Sequence, residues 1–104
     1  MAARKKSTVA QEVEKAAKLL QRYVRLKASY DDGYCQCVTC GKVDHYTAMQ
    51  GGHFYGRRHT VFKLFEENIH VQCPACNQWG MKTTKIQEAY RIYMEDSYGT
   101  RRIR

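Results

Sequence analysis

Two C-x-x-C pairs, Cys37-Val-Thr-Cys40 and Cys73-Pro-Ala-Cys76, stand 32 residues apart on the chain. Four thiolates at this spacing form the ligand set of a tetrahedral structural zinc site. In the first pair Gly41 frees the backbone to fold its N–H groups toward the sulfurs. Cys35 falls two residues too early for that geometry and reads as a spare buried thiol. Asn77 follows directly on the last cysteine. A structural zinc knuckle needs only its thiolates, so that position is open to another use. Between the pairs lie His53, preceded by Gly51 and Gly52, then Asn68 and His70.

These residues need elements to position them. Ser7 or Thr8 can cap a helix over 9–29, on which Val9, Val13, Ala16, Ala17, Leu20 and Val24 share one face, flanked by Leu19, Tyr23 and Leu26. Lys15, Lys18, Arg22 and Arg25 fall on the opposite side, as a solvated face or a phosphate-tracking surface. Asp31-Asp32-Gly33 ends the helix and turns the chain into the first knuckle. VDHYTAM and HFYGRRHTVFKLF read as short strands of an antiparallel hairpin joined by an irregular, basic loop. A helix is expected to start near Cys76. A further one spans 84–98 and buries Ile86, Ala89, Tyr90, Tyr93 and Met94. The expected class is α+β: a basic disordered arm over 1–8, then one domain over 9–104 with its zinc core at 34–83. Knuckle, hairpin, second knuckle, helix is the order of a treble-clef zinc finger.

The bulk properties set limits on partners. The chain has 104 residues with 18 basic and 10 acidic side chains, a formal net charge of +8. Four zinc-bound thiolates and the metal would lower that to about +6. A small basic domain favours a polyanionic partner, most commonly nucleic acid, with ordinary solubilising charge as the plainer reading. No apolar run approaches membrane-spanning length. The polar-punctuated start lacks the apolar core of a signal peptide. Zinc-type cysteine spacing then points to a reducing, cytoplasmic compartment.

The block Asn68-x-His70-x-Gln72-Cys73-x-x-Cys76-Asn77, together with Gly51-Gly52-His53-Phe54, resembles the HNH, or ββα-metal, endonucleases in their HNN variant with a four-cysteine zinc. When QRYVRLKASYDDGYCQCVTCG, GGHFYGR and LFEENIHVQCPACNQ are taken together, the chain is similar to the phage recombination proteins of the NinG (Rap) family over about Glu12 to Tyr98. The resemblance implies a structure-selective endonuclease, active in the host cytoplasm on Holliday junctions and D-loops. It implies that His53 is the general base, Asn68 orients it, and Asn77 is a ligand of a catalytic Mg²⁺ or Mn²⁺. Gln50, through its amide oxygen, or His53 itself would be the second ligand. If His53 is a ligand, His59 or His70 would act as the base. Such chemistry needs a base to activate water and a hard cation to stabilise charge on phosphate oxygens.

Each remaining feature has two readings. His70 is a structural hydrogen-bonder or a catalytic group, and His45 is exposed-turn material. Arg57 and Arg58, just past His53, suit phosphate contact. Trp79 reads as a cap on the small core rather than a base-stacking surface. The competing function is a zinc-finger DNA-binding module without catalysis, and a zinc-stapled protein adaptor stands against the basic helix face. A resolvase that cuts two strands suits a homodimer, for which the N-terminal helix is the expected interface.

Overall fold

Thr8 starts the first helix with a reciprocal cap. Its hydroxyl accepts from Gln11 N while the Gln11 side chain accepts from Thr8 N. The computed structural model describes residues 6–55 and 64–99. In it α1 spans Val9–Lys27 and ends two residues sooner than the expected 29. The turn at Asp31-Asp32-Gly33 is made by Asp32 Oδ1, which accepts from Tyr34 N at 3.0 Å, and by Gly33 at φ +84°. A Cβ on Gly33 would also come within 2.5 Å of His45 Nε2, so this turn has no room for another residue type.

Strands β1 (Tyr34–Gln36) and β2 (Val43–His45) pair antiparallel, Tyr34 opposite His45, and carry the first knuckle at their tip. Strands β3 (Gln50–His53) and β4 (Ile69–Gln72) form the second antiparallel pair, Gln50 opposite Gln72 and His53 opposite Ile69. The hairpin expected from the sequence is therefore re-paired. Val43–His45 folds back on the strand before it, because the knuckle already reverses the chain there. The strand with His53 pairs with Ile69–Gln72 instead, and residues 56–63 of the expected second strand lie outside the described residues. The two glycines hid β3 from a propensity reading, yet packing explains both. A Cβ on Gly51 would meet the Gln21 side chain of α1 at 2.9 Å, and one on Gly52 would meet Gln72 Oε1 at 1.8 Å.

The helix expected to start near Cys76 is present, with a wider π-type turn in place of an α-helix. The chain makes a wide π-type turn over Ala75–Trp79 and a 3-10 turn over Gly80–Lys82. Helix α2 (Thr84–Tyr98) then begins under a Thr83 cap, with the hydroxyl accepting from Ile86 N, at the bounds expected. Its buried side is Tyr90 and Met94, with Ile86, Ala89 and Tyr93 half-buried, also as expected. Helix α1 lies across β3 and β4. Only Ala17 and Val24 of its apolar face are buried; Val9, Ala16, Leu19, Tyr23 and Leu26 are exposed. The core is small and largely sulfur: Cys35, Cys37, Met49, Val71, Cys73 and Cys76, with Tyr46 and Ile86 packed on it. The architecture is α+β, two helices and two small antiparallel sheets around a four-cysteine cluster. No helix of the described residues is long and apolar enough to cross a membrane.

Candidate functional site

The sulfurs of Cys37, Cys40, Cys73 and Cys76 all lie within 4.8 Å of one another. A Zn–S4 tetrahedron with bonds of about 2.3 Å has sulfur edges of about 3.8 Å; Cys40 and Cys73 stand 3.6 Å apart. The cluster could therefore hold a metal such as zinc. Its electrostatics agree. Burial raises the Cys37 thiol, but the Thr39 hydroxyl and the N–H groups of Cys73, Thr39 and Cys40 outweigh it and bring it down to about 6. Burial pushes Cys76 up to about 12, and neighbouring sulfurs add to the rise. Without a cation the cluster cannot carry four negative charges; a divalent metal removes that conflict. Cys35 lies outside the cluster, fully buried, its thiol raised by burial. Gln72 Nε2 donates to Thr39 Oγ1 at 3.1 Å, and Thr39 Oγ1 lies 3.3 Å from Cys37 Sγ. This hydrogen-bonded chain links β4 to the sulfurs.

A cleft of about 540 Å³ opens beside this centre, lined by Gln21, Arg25, Met49, Gln50, Gly51, His53, Asn77 and Met81. Strand β3 supplies Gln50 and His53, the wide turn supplies Asn77, and α1 supplies Arg25. Asn77 Nδ2 donates to Gln50 Oε1 at 2.7 Å. That bond takes the Gln50 oxygen and leaves Asn77 Oδ1 as the amide oxygen able to bind a cation. Arg25 departs from the helix-face expectation. Nη1 donates to Tyr46 O and Met49 O, both at 3.0 Å, and Nε to Gln21 O at 3.3 Å. All three acceptors are neutral, and no carboxylate of the described residues pairs with it, so the guanidinium brings an uncompensated, well-anchored charge to the cleft. His53 also lines a second opening of about 600 Å³ with Phe54, Tyr55, Met81, Thr84 and Arg91. His53 and Met81 thus line both openings.

Asn68 holds the chain just after His53. Its Oδ1 accepts from Tyr55 N at 2.8 Å, its Nδ2 donates to Tyr55 O at 3.2 Å, and its carbonyl accepts from Phe54 N at 2.9 Å. His70 is set apart from the cleft. It is 8% exposed, with Nδ1 3.1 Å from the Tyr90 hydroxyl and Nε2 2.7 Å from the Tyr98 hydroxyl. Tyr90 donates its proton to Gly52 O at 2.6 Å, so the hydroxyl oxygen must accept from His70 Nδ1–H, and Nε2 accepts from Tyr98. Burial lowers the His70 pKa to about 4. Through Tyr90 the buried ring braces the carbonyl one residue before His53.

The family described as bacteriophage lambda NinG protein matches residues 1–104, the whole chain. The chain belongs to the NinG family. No curated protein and no solved structure matches it. In this NinG-family chain, Lys15, Lys18 and Arg22 are exposed along α1, while Lys15 pairs with Glu12 at 3.5 Å. Arg57, Arg58 and His59, and residues 1–5 of the expected basic arm, lie outside the described residues. Trp79 does not cap the core; it is 67% exposed, with Lys82 Nζ 5.1 Å from its ring centre. Sequence reasoning missed Gln21, Met81 and Gln72. A glutamine on an otherwise buried strand, immediately before a metal-site cysteine, was the available signal for Gln72.

Proposed function

We propose that the protein is a metal-dependent, structure-selective DNA endonuclease that hydrolyses phosphodiester bonds in branched recombination intermediates such as Holliday junctions and D-loops. The observation that carries this reading is the single cleft in which His53, Asn77, Gln50 and Arg25 meet. Four residues drawn from three separate parts of the chain supply a base, a hard oxygen donor and a fixed cation, which together are what phosphodiester hydrolysis needs. The order hairpin and knuckle, second hairpin, second knuckle, turn and helix supports a treble-clef, ββα-metal architecture around a structural Zn²⁺.

The residues take distinct roles. His53, as neutral imidazole, accepts the proton of the attacking water. Asn68 and the His70–Tyr90 brace keep its strand end in place, from the loop side and the carbonyl side respectively. Asn77 Oδ1 would hold Mg²⁺ or Mn²⁺, and Gln50 orients Asn77. This donor set fits a cation that keeps most of its shell as water and substrate phosphate; when bound, the ion neutralises charge on the phosphate oxygens. Arg25 binds a phosphate oxygen within the cleft, and Lys15, Lys18, Arg22, Arg57 and Arg58 carry flanking phosphates. Phosphate contacts position without reading sequence, so selection is by DNA shape. A second copy packs along α1, where Leu19 (68% exposed), Tyr23 (49%) and Leu26 (43%) form a stripe at helical spacing.

One observation favours the alternative of a non-catalytic zinc-finger DNA-binding module: among the described residues no carboxylate lines the cleft. A labelled four-way junction and a matching linear duplex, incubated with zinc-loaded protein in Mg²⁺, Mn²⁺ or EDTA, separate the two. The endonuclease cuts the junction only with a divalent ion present. Binding without a cut under every condition leaves the module.

A further inference from the structure

Trp79 is the chain's single tryptophan, and the fold leaves it outside a core that is short of apolar mass. It is 67% exposed. It ends the wide turn Ala75–Trp79 that carries Asn77, and Met81, two residues further on, lines the cleft. Lys82 Nζ stands 5.1 Å from the indole centre. An exposed indole with an ammonium over one of its faces matches the chemistry of one nucleotide: the opposite π-face for the base and a nearby cation for its phosphate.

We propose that Trp79 and Lys82 form a stacking platform for an unpaired nucleotide of a DNA strand that leaves the cleft at a branch point. The proposal rests on the nucleic-acid part of the function proposed above and supplies what the cleft lacks, a means of telling a branch from a continuous duplex. Bases inside a duplex are stacked on one another and offer the indole no face, whereas a splayed strand does. The surrounding charge suits this partner and no cationic one, since the chain carries +8 and Lys85 is exposed just beyond. Trp79 would therefore contribute to binding only where a base is free.

Because there is one indole, its emission reports the contact directly. Zinc-loaded full-length protein is titrated with a short oligothymidylate, a forked duplex with single-stranded arms, and a blunt linear duplex. Saturable quenching by the first two and not by the third is expected. Trp79→Ala should weaken binding to the fork by about tenfold, the scale of one lost base stack, leave the blunt duplex unchanged, and keep zinc content and thermal midpoint near normal. Trp79→Phe should recover most of the loss. His53→Ala should quench like the parent protein; a wild-type protein that quenches but never cuts a junction in Mg²⁺ or Mn²⁺ overturns the endonuclease and not the platform. Equal quenching by all three DNAs, or equal affinity of Trp79→Ala for the fork, overturns the platform and leaves cleavage to be judged separately. An emission change driven by protein concentration alone assigns the indole to a contact between copies and also overturns it.

Discussion

His70 is held neutral by burial between two tyrosine hydroxyls, and this has a consequence for acid stability. Its pKa is lowered from 6.5 to about 4. Between those values the unfolded chain binds a proton that the folded chain refuses, so stability is complete above about pH 6.5 and declines as pH falls toward 4. At pH 5 the loss is about 2 kcal/mol from this group alone. Comparing denaturant melts of the wild type and His70→Gln at pH 7.5 and pH 5 checks it: the wild type should lose about that much more, the zinc thiolates titrating equally in both. His53 and Asn77 make a different prediction. His53→Ala should slow junction cleavage by at least ~10²-fold, the scale of a lost general base, with zinc content and junction affinity near normal. Asn77→Ala should raise the Mg²⁺ or Mn²⁺ concentration needed for cleavage. Wild-type rates in both variants would sink the catalytic assignment.

The β3–β4 pair is the element on which the cleft depends, and its glycines are packing decisions. Gln72 is fully buried, and its side chain occupies the space where a Cβ on Gly52 would stand, 1.8 Å from Oε1. Its Oε1 has no hydrogen-bond partner among the described residues, and the side chain cannot move without leaving Thr39. Gly52→Ala should therefore destabilise the fold by roughly 1–3 kcal/mol, as overpacking does. Adding Gln72→Ala should restore part of that, because the obstructing atoms are gone. Non-additivity of the pair, read from thermal melts of the two single variants and the double one, is the measurement; purely additive losses would mean that β3 does not meet Gln72 there. The same strand shows how elements divide the work: β3 presents Gln50 and His53, Asn68 just before β4 and His70 within it brace that strand, and α1 closes the cleft with Gln21 and Arg25.

At the scale of the whole molecule, the core is small and sulfur-rich, and a metal held by the four-cysteine cluster is expected to be needed for the fold. Cys73→Ser, or a strong zinc chelator, should unfold the chain by circular dichroism, whereas Cys35→Ser, outside the cluster, should not. A full complement of zinc in Cys73→Ser would refute the four-cysteine site. Charge is also a property of the whole: Lys18→Glu with Arg22→Glu should lower affinity for every DNA alike and flatten the dependence of log K on log salt by about two units; an unchanged slope would remove α1 from the DNA surface. The four-cysteine cluster, both α-helices and the candidate pair His53 and Asn77 were legible in the sequence because their signals are local: C-x-x-C spacing, 3.6-residue periodicity, capping threonines, and a short motif around the second knuckle. What β3 pairs with, why Gly51 and Gly52 must lack side chains, and where Arg25 and Trp79 end up depend on what another element brings alongside. A helical wheel puts Arg25 with Lys18 and Arg22 because it sees only angle; the carbonyls of Tyr46 and Met49, more than twenty residues away in sequence, turn it into the cleft. Trp79 reads as core by composition and is exposed because the wide turn after Cys76, set by the knuckle's geometry, carries it outward. Contacts of that kind exist only once distant segments have met, so only the tertiary structure could decide them.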